Sequence, residues 1–342
     1  MGESMQAAFI RGPGDICVER VPVPRPARGE VLLGVRAVGL CGSDLHYYLE
    51  GGIGSARVTS PLILGHEFAA EVLDPGAACA LRPGTLVAVD PARSCGRCEW
   101  CLQGHPNLCP QVRFCGSPPD VHGALAECLT APPTALFPVP VGLTAADAAL
   151  LEPLGVALHA VDLAHLRPME SVAVLGAGPI GLLIVQVARL AGAGTLYAAD
   201  PLAYRAELAG RLGADRVSGT HESVAEWTDG RGVDVVLEAT DSAAAPGQAT
   251  ETVRTGGRVV LAGIPREPTY CLDAATVRRK GLTLRAVRRM KHAYPRALQM
   301  ADSGRVNLRP LVTHRFPLSR AAEAFALQAA RADGVIKTVV EV

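Results

Sequence analysis

The chain has 342 residues, of which 49% are hydrophobic, and its formal net charge at pH 7 is zero. This length and apolar content suffice for a large core and suggest two domains. A neutral chain without a long run of lysine or arginine gives no electrostatic reason to expect nucleic acid or a membrane surface as a partner.

The N-terminal segment and the cysteine content bear on the cellular compartment. The first residues, MGESMQAAFIRGPGD, lack the basic and apolar regions of a signal peptide. Four of the ten cysteines lie at metal-ligand spacing, so metal binding and reduced thiols are favoured over disulfides. We therefore expect a cytoplasmic protein.

The first 150 residues are rich in glycine, proline and short β-type runs. Examples are EVLLGVRAV at 30–38 and FAAEVL at 68–73. Such runs of β-branched and apolar residues between turn formers predict an irregular β-domain.

Candidate metal ligands are spread over this β-rich region and its end. Cys41 lies in VGLCGSDLHYY, His66 and Glu67 follow in GHE, and Glu152 lies in LEPL. One thiolate, one imidazole and two carboxylates are the ligand inventory of a catalytic zinc site that leaves a position for water or substrate.

A second set of candidate ligands falls within one short segment, CGRCEWCLQGHPNLC at 95–109. Its cysteines follow the spacing C-x2-C-x2-C-x7-C. Four thiolates close a tetrahedral zinc site completely and leave no position for substrate. We therefore predict a structural zinc ion held by Cys95, Cys98, Cys101 and Cys109.

After about Pro153 the pattern changes to alternating strands and helices, which predicts a parallel, doubly wound sheet. The apolar stretch 171–191 approaches membrane-spanning length, but its glycines and proline suit a strand, a turn and a helix better. The closing segment IKTVVEV is predicted to be a strand that rejoins the first domain. The predicted strands are 172–175, 195–199, 233–237, 258–262 and 282–287, and the predicted helices are 180–190, 203–212, 294–301 and 319–330.

A nucleotide-binding motif follows the first of these strands. Gly176, Gly178 and Gly181 fit G-x-G-x-x-G at the start of a helix, where free N–H groups and the helix dipole favour a pyrophosphate. Asp200 ends the next strand, close to the expected interval of about 20 residues. Its carboxylate would accept the ribose hydroxyls and repel a 2′-phosphate, which favours NAD over NADP, or it would only cap the following helix. Arg205 leaves room for partial tolerance of NADP.

Further candidate cofactor-binding residues are Pro179, Ile180, Thr240 and Ile264.

The segments quoted above resemble those of the zinc-dependent medium-chain alcohol dehydrogenases, and among them the sorbitol (polyol) dehydrogenases. The resemblance runs from about Val31 to the C-terminus and rests on CGSDLHYY, PLILGHEFAAEV, the four-cysteine segment, LLEPLGVALHA and PLVTHRFPL. The L-idonate 5-dehydrogenases share CGSDLHYY and GHE and are near neighbours.

This resemblance implies an α/β fold with a GroES-like, β-rich catalytic domain and a Rossmann domain built on a doubly wound parallel sheet. It places the GroES-like domain at 1–154 and 290–342, with the structural zinc lobe at 95–109, and the NAD-binding Rossmann domain at 155–289. The active site is expected in the cleft between them. The resemblance also implies a homo-oligomer, either a dimer or a tetramer.

Carried over by position, the resemblance assigns Cys41, His66, Glu67 and Glu152 to the catalytic zinc, with the direct role of each carboxylate left open. It implies hydride transfer from a secondary hydroxyl to NAD. The proton would leave through Ser43, the cofactor ribose and then His46, although a turn hydroxyl and a surface histidine are the plain alternatives.

Tyr47, Phe114 and Glu152 match substrate-pocket positions, and Arg289 falls on a substrate-side arginine of this family. The segment AVRRMKHAYP around Arg289 departs from the polyol pattern. Arg289 would also fit a solvated basic face, and the extra positive charge keeps a carboxylated substrate possible.

The sequence therefore predicts an oxidoreductase with two zinc ions per chain that transfers hydride from a polyol or sugar alcohol to NAD. Alternatives within the same chemistry are a sugar-acid (L-idonate-type), a threonine-type or a butanediol dehydrogenase. A different class is a cofactor-binding protein without catalysis, which the intact set of ligands and Ser43 disfavours.

Overall fold

The computed structural model describes residues 3–77 and 79–342, so the predicted domain start at residue 1 lies outside the described residues. The chain forms two compact units. The first runs to Glu152 and resumes at Tyr294–Gly304 and Leu308–Val342, and the second comprises Pro153–Ala293 and Arg305–Asn307. The assignment of residues 1–154 and 290–342 to one domain, and of residues 155–289 to the other, stays a prediction.

The elements of the first 164 residues are mostly short strands, as the glycine- and proline-rich sequence predicts. Single turns of 3₁₀-helix lie at Pro106–Leu108 and Pro133–Ala135. The strands are β1 (Ser4–Gly12), β2 (Asp15–Pro22), β3 (Val31–Gly39), β4 (Gly52–Ile53), β5 (Ala56–Arg57), β6 (Leu62–Ile63), β7 (Glu67–Asp74), β8 (Leu86–Val89), β9 (Ala92–Arg93), β10 (Arg113–Phe114), β11 (Cys128–Ala131) and β12 (Leu136–Pro138), and the helices are α1 (Gly42–Glu50), α2 (Glu99–Leu102), α3 (Ala145–Ala149) and α4 (Leu151–Ala164).

Strands and helices alternate from residue 172 to 286, and the C-terminal part is mixed. Two further 3₁₀ turns lie at Arg309–Leu311 and Leu318–Arg320. The strands are β13 (Val172–Leu175), β14 (Leu196–Ala199), β15 (Arg216–Ser218), β16 (Val233–Glu238), β17 (Val253–Leu261), β18 (Thr283–Ala286), β19 (Val312–Pro317) and β20 (Lys337–Glu341), and the helices are α5 (Pro179–Leu190), α6 (Ala203–Arg211), α7 (Glu222–Trp227), α8 (Ala245–Thr252), α9 (Ala274–Lys280), α10 (Tyr294–Asp302) and α11 (Ala321–Ala330).

The first unit is built around β3, whose residues are all buried except Arg36. In the described part of this unit the strand order is β12-β8-β7-β3-β20-β19, with β11 also paired to β3. β20 pairs antiparallel with β3, which confirms that the closing segment rejoins the first part of the chain. Gly39 at the end of β3 lies opposite Glu67 at the start of β7, so the segments that carry Cys41 and His66 leave the sheet side by side.

The second unit contains a parallel sheet of order β15-β14-β13-β16-β17-β18 in the described residues. This is the doubly wound order 3-2-1-4-5-6, and its direction of winding reverses between β13 and β16. The buried side chains that form its core include Val172, Leu182, Val236 and Val259. The fold predicted from the alternation of strands and helices is confirmed.

The sequence prediction differs from the structure mainly at element ends. β17 begins at Val253 and not at 258, because the run Thr255-Gly256-Gly257 continues the strand. Gly256 adopts a φ of 69°, and the register against β16 shifts in this part of the strand. Between residues 79 and 342, as between 3 and 77, no helix has the length and apolar character needed to cross a membrane.

A half-buried lysine of the second unit suggests a test of that unit's stability. Lys280, the last residue of α9, donates hydrogen bonds to the carbonyls of Thr250 (2.9 Å), Glu251 (2.7 Å) and Val253 (2.7 Å). Burial lowers the pKa of its ammonium group. These carbonyls belong to the end of α8, where a positive charge satisfies open acceptors and the negative end of the helix dipole.

We expect Lys280→Met to lower the free energy of unfolding by about 1–2 kcal/mol, because three carbonyls lose a charged donor. The measurement is the midpoint of urea unfolding. Arg278→Met on the same helix is the matched control, since Arg278 is exposed. Equal losses in the two variants would contradict a capping role for Lys280.

Candidate metal centres and cofactor site

Cys41 is held at the first turn of α1. It is the residue before the helix, and the Asp44 carboxylate accepts a hydrogen bond from its backbone N–H at 2.9 Å. Gly51 ends the same helix in a left-handed conformation with a φ of 69°. The first turn of α1 and the Asp44 carboxylate therefore fix the position of Cys41.

His66 and Glu67 meet Cys41 in one cluster. One potential ligand atom from each of the three residues lies within 4.8 Å of the other two. His66 is 4% exposed, and Glu67 is fully buried. His66 Nδ1 lies 3.5 Å from Asp44 Oδ1, which orients the imidazole from outside the cluster. A thiolate, an imidazole and a carboxylate at this separation fit a zinc ion.

Lys337 of β20 lies against the same cluster. Its ammonium group donates to Glu67 Oε1 at 2.9 Å, to Glu67 Oε2 at 2.7 Å and to the carbonyl of Leu40 at 2.9 Å. The lysine is only 2% exposed. The carboxylate of Glu67 is thus held and its charge compensated from the side of the C-terminal strand.

The electrostatics of the cluster favour positive charge. Burial opposes protonation of His66, yet the nearby Asp44 and Cys41 raise its pKa well above the usual value. Burial raises the pKa of Glu152 to about 8, and the neighbouring Glu67 adds to the rise. A divalent cation would relieve this crowding of buried acids, so the residues present fit a bound metal ion.

Glu152 lies in the first turn of α4 and is 4% exposed. Its carboxylate is close enough to His66 and Glu67 to perturb its own ionisation, but it is not part of the three-residue ligand cluster. The structure therefore brings Cys41, His66 and Glu67 together as ligands and leaves Glu152 beside them.

The other predicted residues of the first unit are Phe114 and Tyr47, which lie beside this cluster, and Ser43 and His46, which follow Cys41 on α1. The Phe114 ring packs against His66 with ring centroids 5.0 Å apart. Tyr47 is 7% exposed, and burial raises the pKa of its phenol. His46 Nδ1 lies 2.7 Å from the Glu50 carboxylate one helical turn further along α1. Ser43 is half-buried in the first turn of the same helix.

The four-cysteine segment folds into a compact lobe. Cys98 Sγ lies 3.5 Å from Cys101 Sγ, and Cys95 Sγ lies 4.0 Å from Cys101 Sγ. Cys109 is gathered into the same group of four possible ligands. Zinc–sulfur bonds of about 2.3 Å in a tetrahedron place sulfur atoms about 3.8 Å apart, so the observed separations fit a closed zinc site.

Backbone N–H groups prepare this lobe for metal. The N–H of Cys98 donates to Cys95 Sγ, and the N–H of Cys95 donates to Cys109 Sγ, each at 3.4 Å. The hydrogen bonds from the backbone of Arg97 and Cys98 lower the pKa of Cys95 to about 6. The thiolate needed for coordination is therefore favoured near neutral pH.

The glycine motif of the second unit forms a tight turn between β13 and α5. Gly176 has a φ of 90°, and a Cβ atom there would lie 2.7 Å from Thr240 Cγ2. A Cβ atom at Gly181 would lie 1.8 Å from the carbonyl oxygen of Gly176. α5 begins with Pro179 after Gly178. A side-chain-free turn at a helix N-terminus fits the pyrophosphate of a dinucleotide.

Asp200 and Arg205 lie beside this turn. The Asp200 carboxylate accepts hydrogen bonds from the N–H of Ala177 at 2.7 Å and of Leu202 at 2.9 Å. It is not the cap of α6, because the residue before that helix is Leu202. A Cβ atom at Gly178 would lie 3.7 Å from Arg205 Nη1, which puts the guanidinium near the turn. Both residues are therefore within the predicted cofactor site.

Two further predicted residues belong to the second unit. Ile264 follows β17 and is 43% exposed. Arg289 adopts a φ of 53°, an uncommon left-handed conformation for a residue other than glycine. The other predicted substrate residues belong to the first unit.

Sequence reasoning did not single out Asp44, Glu50 or Lys337. Asp44 lies in a quoted motif, and its position three residues after Cys41 is a recognisable capping signal. Glu50 follows His46 at helical spacing. Lys337 carried no signal, because a lysine in a terminal strand is usually exposed.

Two protein families match the chain in the regions of these sites. Residues 27–141 match the alcohol dehydrogenase GroES-like domain, and residues 179–303 match the zinc-binding dehydrogenase family. The chain is 36% identical to sorbitol dehydrogenase of Bacillus subtilis (strain 168) over 328 residues, which covers 94% of this chain and 93% of the relative. It is 36% identical to sorbitol dehydrogenase of Homo sapiens over 92% of this chain and 90% of the relative.

Solved structures show the same fold. L-idonate 5-dehydrogenase from Escherichia coli K-12 superposes with a TM-score of 0.92 at 27% identity, over 99% of this chain and 98% of the other. A protein of Sinorhizobium meliloti 1021 described as a zinc-binding dehydrogenase, with NADP bound, superposes with a TM-score of 0.90 at 31% identity over the full length of both chains. The predicted family and fold are confirmed, and the chain belongs to the zinc-binding, medium-chain alcohol dehydrogenase family.

Proposed function

We propose that this dehydrogenase oxidises a secondary hydroxyl of a polyol or sugar alcohol and transfers the hydride to NAD. The observation that carries the proposal is the cluster of the half-buried Cys41 with the buried His66 and Glu67, beside which lies the acid Glu152. The likeness to sorbitol dehydrogenases over more than nine-tenths of the chain supports the substrate class.

Different residues of the first site would bind the metal ion and the substrate. Cys41, His66 and Glu67 would hold a zinc ion, which when bound lowers the pKa of a hydroxyl on its open position. Glu152 lies outside the ligand cluster, and we assign it to the water or hydroxyl at that position. Tyr47 and Phe114 line the same region. Tyr47 would donate a hydrogen bond to the substrate, and Phe114 would exclude water from beside His66.

A proton must leave this buried region during oxidation. Ser43 and His46 are one helical turn apart on α1, and they are the proposed carriers. The Glu50 carboxylate at 2.7 Å from His46 Nδ1 orients the imidazole, so its other nitrogen is directed to receive a proton. Glu50 has about a third of its side chain exposed, which gives the proton a route to solvent.

The second unit supplies the hydride acceptor. NAD, when bound, accepts a hydride at its nicotinamide ring. The turn at Gly176 and Gly178 receives the pyrophosphate, and the Asp200 carboxylate accepts the ribose hydroxyls with lone pairs that the Ala177 and Leu202 amides leave open.

A sugar-acid dehydrogenase is the second candidate. Arg288, Arg289 and Lys291 place positive charges in one short segment of the second unit, and guanidinium groups bind carboxylates well. The structural likeness to an L-idonate 5-dehydrogenase supports this alternative.

Substrate screening tests the proposal directly. We expect NADH formation with polyols to exceed that with sugar acids, diols and threonine by at least about tenfold in kcat/KM, because the pocket residues suit uncharged hydroxyls. The measurement is absorbance at the NADH band over a panel of these compounds. A preference for a sugar acid would select the second candidate, and no turnover of any compound would contradict the catalytic proposal.

Metal analysis tests the two zinc sites separately. The wild-type chain should carry two zinc ions, Cys41→Ala should carry one and lose turnover, and NADH should still bind because the cofactor residues lie in the other unit. Cys98→Ala should also carry one ion but lose thermal stability before activity, since its site is closed to substrate. One zinc ion in the wild type, or turnover by Cys41→Ala, would contradict the assignment.

Cofactor choice tests the role of Asp200. Wild type should prefer NAD over NADP, and Asp200→Ser should reduce that preference in kcat/KM by about tenfold or more, because a carboxylate no longer repels the 2′-phosphate. Steady-state kinetics with both cofactors give the ratio, and the KM for the polyol serves as the internal control. Equal use of NAD and NADP by the wild type would refute this role.

A further inference from the structure

A buried acid lies at the point where the parallel sheet changes its direction of winding. Glu238 is the last residue of β16 and is only 2% exposed. It pairs in register with Leu175, the last residue of β13, and with Leu261, the last residue of β17. Dinucleotides bind at this edge of a doubly wound sheet, outside the carboxyl ends of the strands.

The carboxylate of Glu238 joins the loops that follow β16 and β17. Its Oε1 accepts a hydrogen bond from the N–H of Thr240 at 2.6 Å, and its Oε2 accepts one from the N–H of Gly263 at 3.3 Å. The backbone carbonyl of Glu238 also accepts from the N–H of Ala262 at 2.8 Å and from that of Gly263 at 3.2 Å. The loop after β17 is therefore bound to the backbone and the side chain of Glu238, and the carboxylate joins it to the loop after β16.

The loops around this carboxylate are closely packed. A Cβ atom at Gly263 would lie 2.1 Å from the Thr240 carbonyl oxygen and 2.6 Å from Glu238 Oε1. The Thr240 methyl group in turn packs against the glycine turn, because a Cβ atom at Gly176 would lie only 2.7 Å from it. The loop after β13 thus packs against Thr240, which lies in the loop that Glu238 joins to the loop after β17.

Keeping an acid at this position is costly for the fold. Burial raises the pKa of Glu238, and the nearby carboxylate of Asp241 raises it further. Arg266 pairs with Asp241 at 3.1 Å and keeps that second acid on the outside of the loop. Burial of a carboxyl group costs stability, and this one accepts hydrogen bonds from the amides of two loops. These two observations together indicate that the group positions the loops.

We propose that Glu238 is a positioning residue for the dinucleotide, because it fixes the loops that carry Thr240 and Ile264 against the glycine turn. This inference rests on the NAD function proposed above and adds a residue to it. Glu238 does not contact the cofactor in this role. It sets the separation of the loops that do, and small errors in such a separation weaken binding strongly.

Asp234 is a matched control on the same strand. Its carboxylate accepts hydrogen bonds from the N–H and hydroxyl of Ser171, at 2.8 and 2.6 Å, and pairs with Arg254. It lies near the start of β16, at the opposite edge of the sheet from the glycine turn. Loss of this carboxylate should cost stability without moving the cofactor loops.

The test measures the Kd of NADH by fluorescence for wild type, Glu238→Gln, Gly263→Ala and Asp234→Asn. We expect Glu238→Gln to raise the Kd about tenfold, the equivalent of one lost charged hydrogen bond. Gly263→Ala should raise it similarly, because a methyl group separates the same loops while Glu238 is intact. Asp234→Asn should bind NADH within about twofold of wild type although it unfolds more easily.

Two further readouts separate positioning from general destabilisation. Hydrogen exchange at the amides of Thr240 and Gly263 should accelerate in Glu238→Gln and stay slow in Asp234→Asn. The KM for NAD should rise in Glu238→Gln, while the KM for the polyol and the zinc content stay unchanged.

Each result has a defined meaning. Wild-type affinity in both Glu238→Gln and Gly263→Ala, or an equal loss of affinity in Asp234→Asn, would overturn the positioning role. Failure of the wild type to bind NADH would instead refute the NAD function. If the wild type binds NADPH alone, the same four proteins compared with NADPH still decide the role of Glu238.

Discussion

The buried ion pair between Lys337 and Glu67 is the interaction on which the first site depends. It joins residues 270 positions apart, and both side chains are almost fully buried. Removing one partner of a buried pair typically costs about 3–5 kcal/mol, because the other charge is left without compensation. The pair also fixes β20 beside β3, since Lys337 donates to the carbonyl of Leu40, next to Cys41. A Cβ atom at Gly39 would lie 2.4 Å from Glu67 Oε2, so a glycine there is part of the same arrangement.

This pair also explains how the site retains several acids in one buried place. Lys337 compensates Glu67, and Asp44 is engaged by the Cys41 amide and by His66. Burial raises the pKa of Glu152 to about 8, although the positive charges of His66 and Lys337 oppose the rise. A divalent ion completes the charge balance, so metal binding and stability of the first unit are coupled through electrostatics as well as through coordination.

The sequence predicted those features that are encoded locally. Four cysteines within fifteen residues, a glycine turn after an apolar strand, and alternating strands and helices each depend on near neighbours, and the structure contains all of them. Lys337 and Glu238 escaped prediction because their roles arise from contacts that only the folded chain makes. Their residue types suggest exposure, and only burial beside a partner reveals their function. The start of β17 was misjudged because the strand continues through Gly256 and Gly257, although glycine has a low preference for strands.

The two units solve the same problem with different chemistry. Each places a buried carboxylate at a terminal residue of a strand, Glu67 at the start of β7 and Glu238 at the end of β16, next to the loops of its site. In the first unit an ammonium group compensates Glu67, which keeps its charge available to a cation. In the second unit backbone amides bind Glu238, and burial raises its pKa against the effect of those hydrogen bonds, so this carboxyl acts through the geometry of its hydrogen bonds. A buried acid paired with a cation therefore tunes charge at a metal, whereas one paired with backbone amides fixes the shape of a binding edge.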